Sequence, residues 1–169
     1  MTAESLLNKK LILVVDDEPD VIDLVAEVLD MAILHKATNY DTAMEYLLMH
    51  VYDIVVLDIM GVKGFDLLRT SVTRGFPTVM LTAHALSPDA LKKAIKLGAV
   101  SFLPKEAIPD LRSHLEDVAL GAGKPVWKKL FKRIGSYFDQ RFGPDWKEKD
   151  KFFKEFVAEA TKQEPPFDS

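Results

Sequence analysis

The stretch from Tyr52 to Gly64, YDIVVLDIMGVKG, constrains this chain more than any other. Four apolar residues, Ile54-Val55-Val56-Leu57, run without interruption, stop at Asp58 and give way to a loop with two glycines. A continuous, β-branched apolar run bounded by glycine marks a strand buried on both faces, as in the middle of a parallel sheet. In open α/β sheets ligands sit outside the carboxyl ends of such strands. A carboxylate at that end is costly unless something pairs with it or uses it. Asp58 is therefore a candidate functional residue.

Four more apolar runs accompany the central one. Leu11 to Val15 reads as a first buried strand, and it stops at Asp16-Asp17-Glu18-Pro19. Proline suits the first turn of a helix, and an acid just before it suits the helix dipole. Val21, Leu24, Val25, Val28 and Leu29 then recur at helical spacing to about Met31. A weaker strand at Ile33 to Ala37 precedes a helix carrying Ala43, Tyr46 and Leu47, with Asn39 or Asp41 as its cap. Beyond the central strand, Gly64 opens a helix that Arg74-Gly75 closes. Pro77 to Leu81 is a fourth strand ending at Thr82, and Pro88 starts a helix that Gly98 ends. Val100 to Leu103 is a fifth strand, followed by Pro104-Lys105 and a helix from about Ile108 to Leu120. Five strand–helix alternations with short connections predict an α/β fold, a doubly wound five-stranded parallel sheet with helices on both faces.

Charge divides the chain. Residues 1–123 hold 18 acidic against 11 basic residues, whereas residues 124–169 hold 8 against 11. The overall charge of −4 argues against non-specific nucleic-acid binding by the whole chain. Without cysteine there is no disulfide framework, thiol nucleophile or Cys-ligated zinc. No signal peptide or membrane-length apolar run is visible, so a cytoplasmic location is expected.

After Gly121–Pro125, which reads as a hinge, Trp127, Leu130, Phe131, Ile134, Phe138 and Phe142 recur at steps of three and four. Lys128, Lys129, Lys132, Arg133 and Arg141 occupy the opposite face. Gly143-Pro144 breaks this helix, and Asp145 is placed to cap a second one holding Trp146, Phe152, Phe153, Phe156 and Val157. Both tryptophans and seven of the ten phenylalanines follow Gly123. A helical hairpin so rich in aromatic residues must be covered, by the rest of the chain, a second copy, another protein or a membrane surface. The expected division is an arm at 1–9, a domain at 10–120, a hinge at 121–126, an amphipathic helical extension at 127–162 and a flexible tail at 163–169.

The polar residues ending the strands form a constellation. A parallel sheet gathers Asp16-Asp17, Asp58, Thr82 and Lys105 along one edge. Three carboxylates converging there make an oxygen-rich site suited to Mg²⁺. A lysine ammonium and a threonine hydroxyl are the donors that the oxygens of a phosphoryl group need. Such a set supports attack of a carboxylate nucleophile on phosphorus. Each residue also has a plainer reading: Asp16 and Asp17 as helix caps, Thr82 as a strand end, Phe102 as core, Lys105 as a solvated lysine. His35, His50 and His114 read as isolated surface or half-buried residues.

Residues 10–120 resemble the receiver domain of two-component response regulators, with the flavodoxin-like fold of that family. The resemblance rests on VVDDEP (Val14–Pro19), VLDIM (Val56–Met60), LTAHA (Leu81–Ala85) and SFLPK (Ser101–Lys105), four motifs in the family's order. It implies that Asp58 is the phosphoacceptor for a phosphohistidine on a sensor histidine kinase or a histidine phosphotransfer protein in a phosphorelay. It implies Asp17 as a direct Mg²⁺ ligand, with Asp16, Asp58 and the Met60 backbone carbonyl completing the protein ligands. Lys105 would pair with phosphoryl oxygens, and Thr82 and Phe102 would form the switch, repacking the face of the fourth helix, fifth strand and fifth helix. His84, two residues past Thr82, sits where the family tunes dephosphorylation. The sequence departs from the family in three places. The loop Met60-Gly61-Val62-Lys63-Gly64 is short and lacks proline, Lys105 is followed by Glu106, and position 102 is Phe.

The output implied is contact with a downstream protein, with a homodimer or a membrane surface as further options and DNA disfavoured. Two other classes compete with this non-enzymatic signalling role. One is a phosphatase with an aspartyl nucleophile, although haloacid-dehalogenase-type enzymes carry a D-x-D pattern after the first strand and this chain has adjacent Asp16-Asp17. The other is a receiver fold used only as an unphosphorylated binding module.

Overall fold

Parallel pairing sets the arrangement of the five apolar runs. The computed structural model describes residues 5–59, 61–83, 87–122 and 124–162, and of these the side chains of all but 131–136, 147 and 160–162. Strands β1 (Leu11–Val15), β2 (Ile33–Ala37), β3 (Ile54–Asp58), β4 (Thr78–Thr82) and β5 (Ser101–Pro104) alternate with helices α1 (Pro19–Val28), α2 (Tyr40–Met49), α3 (Gly64–Thr73), α4 (Pro88–Lys96) and α5 (Leu111–Leu120). All pairs are parallel, in the order β2-β1-β3-β4-β5. The chain leaves β1 toward one side for β2 and returns to the other for β3, so a crevice opens at the carboxyl ends of β1 and β3.

Burial follows the sequence pattern. Every residue of β3 and β4 is buried, as are Ile12 to Val15 of β1. Each apolar side chain fully removed from water there contributes about 1.5–3 kcal/mol. Edge strand β2 is exposed at Ile33 and Lys36. At the opposite edge, the Val126 N–H donates to the Val100 carbonyl at 3.0 Å. Asn39 is the α2 cap, its side chain accepting from the Thr42 N–H at 2.9 Å.

Several element boundaries differ from the sequence expectation. Helix α1 stops at Val28, because Leu29 closes its last turn on the Val25 carbonyl and the chain must turn to reach β2. Strand β4 starts at Thr78, since Pro77 has no N–H to offer. The final helix of the sheet begins as a 3-10 turn over Lys105–Asp110 that contains Pro109, and α5 proper starts at Leu111. Among the described residues every peptide bond is trans.

The C-terminal part holds α6 (Trp127–Phe142), α7 (Trp146–Lys149) and α8 (Lys151–Lys162). The single second helix expected from Asp145 is therefore two helices. Asp150 is extended between them and accepts the Phe152 N–H at 2.8 Å, which starts α8 anew. The Asp145 side chain does not cap; it pairs with Lys149 at 3.3 Å. Trp127, Leu130, Phe138, Trp146 and Phe153 are buried. The side chains of Phe131 and Ile134 lie outside the described set.

The three described histidines, His35, His50 and His114, are not isolated. His35 and His50 have ring centroids 4.8 Å apart, and His35 Nδ1 is 2.8 Å from the Tyr52 hydroxyl. Burial and the neighbouring His50 hold the His35 pKa below its usual value. His114 is buried and its Nε2 lies 2.7 Å from Ser101 Oγ, because a polar ring inside the α5–β5 interface needs a polar partner. No described helix is long and apolar enough to cross a membrane.

Candidate functional site

Strand register brings the acids together. Val15 of β1 pairs with Leu57 of β3, so Asp16 and Asp58, each one step further, end adjacent strands at one level. Asp58 pairs with Leu81, and the next residue of β4, Thr82, pairs with Pro104 of β5. Lys105 therefore starts just past that level, and its long side chain reaches back across the strand ends. Its Nζ lies 3.0 Å from Asp16 Oδ2, 3.4 Å from Asp58 Oδ1 and 3.8 Å from Glu18 Oε1. Asp16 and Asp58 are buried, and the Lys105 side chain is only 15% exposed.

These carboxylates are held in a costly place. Burial first, and then the neighbouring Asp16, raise the Asp58 pKa to about 6 against the opposing pull of Lys105. Burial likewise raises Asp16. For Lys105, burial works toward a lower pKa, but Asp16, Asp58 and Glu18 together prevail and raise it. The Asp16 carboxylate serves two masters: Oδ1 accepts the Glu18 N–H at 2.9 Å, whereas buried Oδ2 has no hydrogen-bond partner and meets Lys105 only as an ion pair.

Asp17 lies on the exposed side of Asp16 and packs against the loop after β3. Gly61 there has φ +73°, and a β-carbon would sit 2.6 Å from Asp17 Cγ. A β-carbon on Gly64 would meet the Asp58 carbonyl and would lie 2.8 Å from the Ile59 carbonyl oxygen. Gly64 is therefore required by its close approach to the backbone at the end of β3, and Gly61 is favoured by its left-handed conformation beside Asp17. Thr82 is buried and its hydroxyl donates to the Ala83 carbonyl at 3.2 Å. Phe102, paired with Met80, is fully buried. Met60 and His84 lie outside the described residues.

The structure thus gathers Asp16, Asp58 and Lys105 in direct contact, sets Asp17 beside them and keeps Thr82 one strand away. Glu18 and the two glycines complete the site. Glu18 was legible only as the third acid of a triplet, since nothing in its position said that it faces Lys105. Carboxylate oxygens of Asp16, Asp17 and Glu18 lie within 4.8 Å of one another. Hard oxygen donors, one of them buried without a hydrogen bond, fit Mg²⁺.

Comparison with known proteins gives consistent relatives. The family model for the response regulator receiver domain matches residues 12–116. Phosphate regulon transcriptional regulatory protein PhoB of Escherichia coli (strain K12) is 33% identical over 121 residues, 64% of this chain and 52% of that protein. Response regulator GtcR of Aneurinibacillus migulanus is 29% identical over 116 residues, 63% of this chain and 48% of that one. The chain thus spans about half the length of the curated relatives it matches. Among solved structures, the receiver domain of NtrX from Brucella abortus is 32% identical with a TM-score of 0.57, covering 64% of this chain and 97% of that one. A CheY-like receiver domain protein from Methanospirillum hungatei JF-1 is 19% identical with a TM-score of 0.62, covering 67% and 95%, and shows the fold alone.

Proposed function

Since the chain belongs to the response regulator receiver domain family, we propose that it accepts a phosphoryl group on Asp58 from a phosphohistidine and signals through protein contact. The observation that carries this reading is the Lys105 ammonium bridging the buried Asp16 and Asp58 carboxylates at the switch point of the sheet. A scaffold gains nothing from burying two acids side by side, whereas a phosphoacceptor needs a nucleophile, a cation and a metal site together.

In the proposed reaction an Asp58 carboxylate oxygen forms a bond to phosphorus as the phosphorus–nitrogen bond of the phosphoimidazole breaks. The electron pair stays on the ring nitrogen, and the imidazole leaves neutral, with the proton already on its other nitrogen or taken from water. With a pKa of about 6, Asp58 is ionised at neutral pH and nucleophilic. Lys105 lies within reach to offset charge on the phosphoryl oxygens. The Thr82 hydroxyl is available to turn from the Ala83 carbonyl toward the same group, and Phe102, fully buried on the neighbouring strand, would be its partner in the switch. Asp16, Asp17 and Asp58, with the Met60 carbonyl, would hold Mg²⁺. Bound there, the cation supplies Lewis-acid stabilisation of the phosphoryl oxygens.

The partners proposed are a sensor histidine kinase or histidine phosphotransfer protein upstream and a protein target downstream, with residues 10–120 as receiver and 127–162 as accessory. The PhoB relatives are named transcriptional regulators, so a DNA output is the second reading. It predicts a shift of labelled duplex DNA at physiological salt, which the protein-contact reading does not. Treatment with acetyl phosphate and Mg²⁺ should add one phosphoryl group by mass, and Asp58→Asn should abolish it. Labelling that persists in the variant rejects Asp58, and steady turnover of phosphomonoesters would instead support the phosphatase class.

A further inference from the structure

Two imidazoles meet at the β2 edge of the sheet, away from the acid cluster. His35 sits in the middle of β2, opposite Leu13 of β1, and His50 closes α2. Tyr52 lies just ahead of β3, whereas Asp58 ends that strand. Four strand steps, roughly 13 Å, separate the amino end of β3 from Asp58.

Both histidines are held in place. Strand pairing fixes the His35 backbone. The His50 N–H donates to the Tyr46 carbonyl at 3.0 Å, and the His50 carbonyl accepts from Arg74 Nη2 at 3.2 Å. The two rings are half-buried, with centres 4.8 Å apart and planes inclined at 73°. Tyr46 and Tyr52 wall them in at centre distances of 5.3–6.0 Å. Of the four imidazole nitrogens, His35 Nδ1 alone has a hydrogen-bond partner among the described residues, the Tyr52 hydroxyl at 2.8 Å.

That hydroxyl is suited to orient His35. Burial first, and then Tyr46, push the Tyr52 pKa up to about 12, so it stays protonated at neutral pH and is no anionic ligand. With the His35 proton on Nδ1 and donated to the Tyr52 oxygen, Nε2 carries the lone pair that a metal requires. Burial and His50 lower the His35 pKa, which keeps this lone pair open at neutral pH.

The spacing suits a shared ion. An imidazole centre stands roughly 3.2 Å from a cation bound to its nitrogen at about 2.0–2.1 Å, so centres 4.8 Å apart subtend roughly 100° at one cation. That angle lies between the square-planar and tetrahedral values. Imidazole favours zinc, copper and nickel, whereas carboxylate and water favour magnesium. The pair thus differs in kind from the Asp16-Asp17-Glu18 cluster.

We propose that His35 and His50 form a second metal site, a two-imidazole clamp for a divalent transition ion such as Zn²⁺, with Tyr52 as the positioning residue that orients His35. Water fills the remaining coordination positions. An ion held there ties edge strand β2 to the end of α2 and the entry to β3. The inference uses nothing of the phosphoacceptor reading.

The test uses the full chain, stripped of metal by chelator and then held in excess Mg²⁺ so that the acidic cluster does not compete. Zn²⁺ is titrated in, with calorimetry giving affinity and stoichiometry and ¹⁵N NMR following the imidazole nitrogens. One Zn²⁺ per chain is expected, with signals of His35 and His50 moving together and those of His114, in contact with Ser101, unmoved. His35→Gln and His50→Gln should each weaken binding more than about tenfold, and Tyr52→Phe, which keeps the ring, about tenfold. His35 and His50 signals that stay still up to about 1 mM Zn²⁺ overturn the site and leave the cluster as aromatic packing. Zinc affinity retained in both histidine variants also overturns it, because the ion then sits elsewhere. The parent chain's signals decide even where a variant fails to fold. Undiminished affinity in Tyr52→Phe overturns the positioning role of that hydroxyl.

Discussion

Replacing Asp58 with Asn should make the protein more stable at pH 8, and the gain should vanish in acid. The ordinary carboxylate value is 3.8, and in the folded chain burial and Asp16 lift Asp58 to about 6 against the pull of Lys105. At 1.36 kcal/mol per pH unit that rise corresponds to about 3 kcal/mol. The sign follows from proton uptake. Between about pH 4 and pH 6 the folded state holds a proton on Asp58 that the unfolded chain has already lost, so stability falls as pH rises through this window. The Asp58 contribution is thus fully present below about pH 4 and gone above about pH 6. Asparagine is close to the neutral carboxyl in shape and never ionises, so Asp58→Asn should gain up to about 3 kcal/mol at pH 8 and little near pH 4. Urea unfolding in chelator at pH 4.5, 6 and 8, with equal m-values for both proteins, measures the difference directly. A variant no more stable than the parent at pH 8, or one with the same gain at pH 4.5 and pH 8, would refute the claim that buried charge at the strand ends is a standing cost.

Mg²⁺ at one hundred times its dissociation constant should stabilise the parent chain by about 2.7 kcal/mol at pH 8 in thermal or urea melts. Asp16→Asn and Asp17→Asn should need much more Mg²⁺ for the same gain, and equal titrations in all three would remove those acids from the metal site. Lys105→Met leaves Asp16 and Asp58 without their shared cation. It should lower stability at pH 8 by about 3 kcal/mol, with the deficit shrinking as the acids protonate. A pH-independent deficit would point to lost packing instead. Gly61→Ala forces a side chain into a left-handed conformation against Asp17. It should cost about 1–3 kcal/mol and weaken the Mg²⁺ response measured by melts. His35, held low by burial and His50, should titrate below its usual value when followed by NMR. His50→Asn should raise it only part of the way, because the larger effect of burial stays.

The chain spells out its own layers. Runs such as Ile54–Leu57 are dry on both sides, and the helices between them repeat at three and four residues, so a parallel sheet between helices is the arrangement that buries both. The polar residue closing each run was also readable, because its cost at the end of a buried strand is local information. Asp16, Asp58 and Lys105 could be named for that reason. What they do to one another was not readable. The proximity of Lys105 to Asp16 and Glu18, and the Asp16 oxygen left without a hydrogen bond, arise from strand register and from the reach of a side chain across two strands. The His35–His50 pair and the buried Ser101–His114 contact likewise join residues from different elements. The aromatic spacing after Gly123 announced that the last helices must be covered, but covering is a demand that any apolar surface can meet. Only the folded chain reveals that Asp150 divides the second helix and lays it on Lys92, because that choice depends on where α4 stands in space and not on any pattern along the chain.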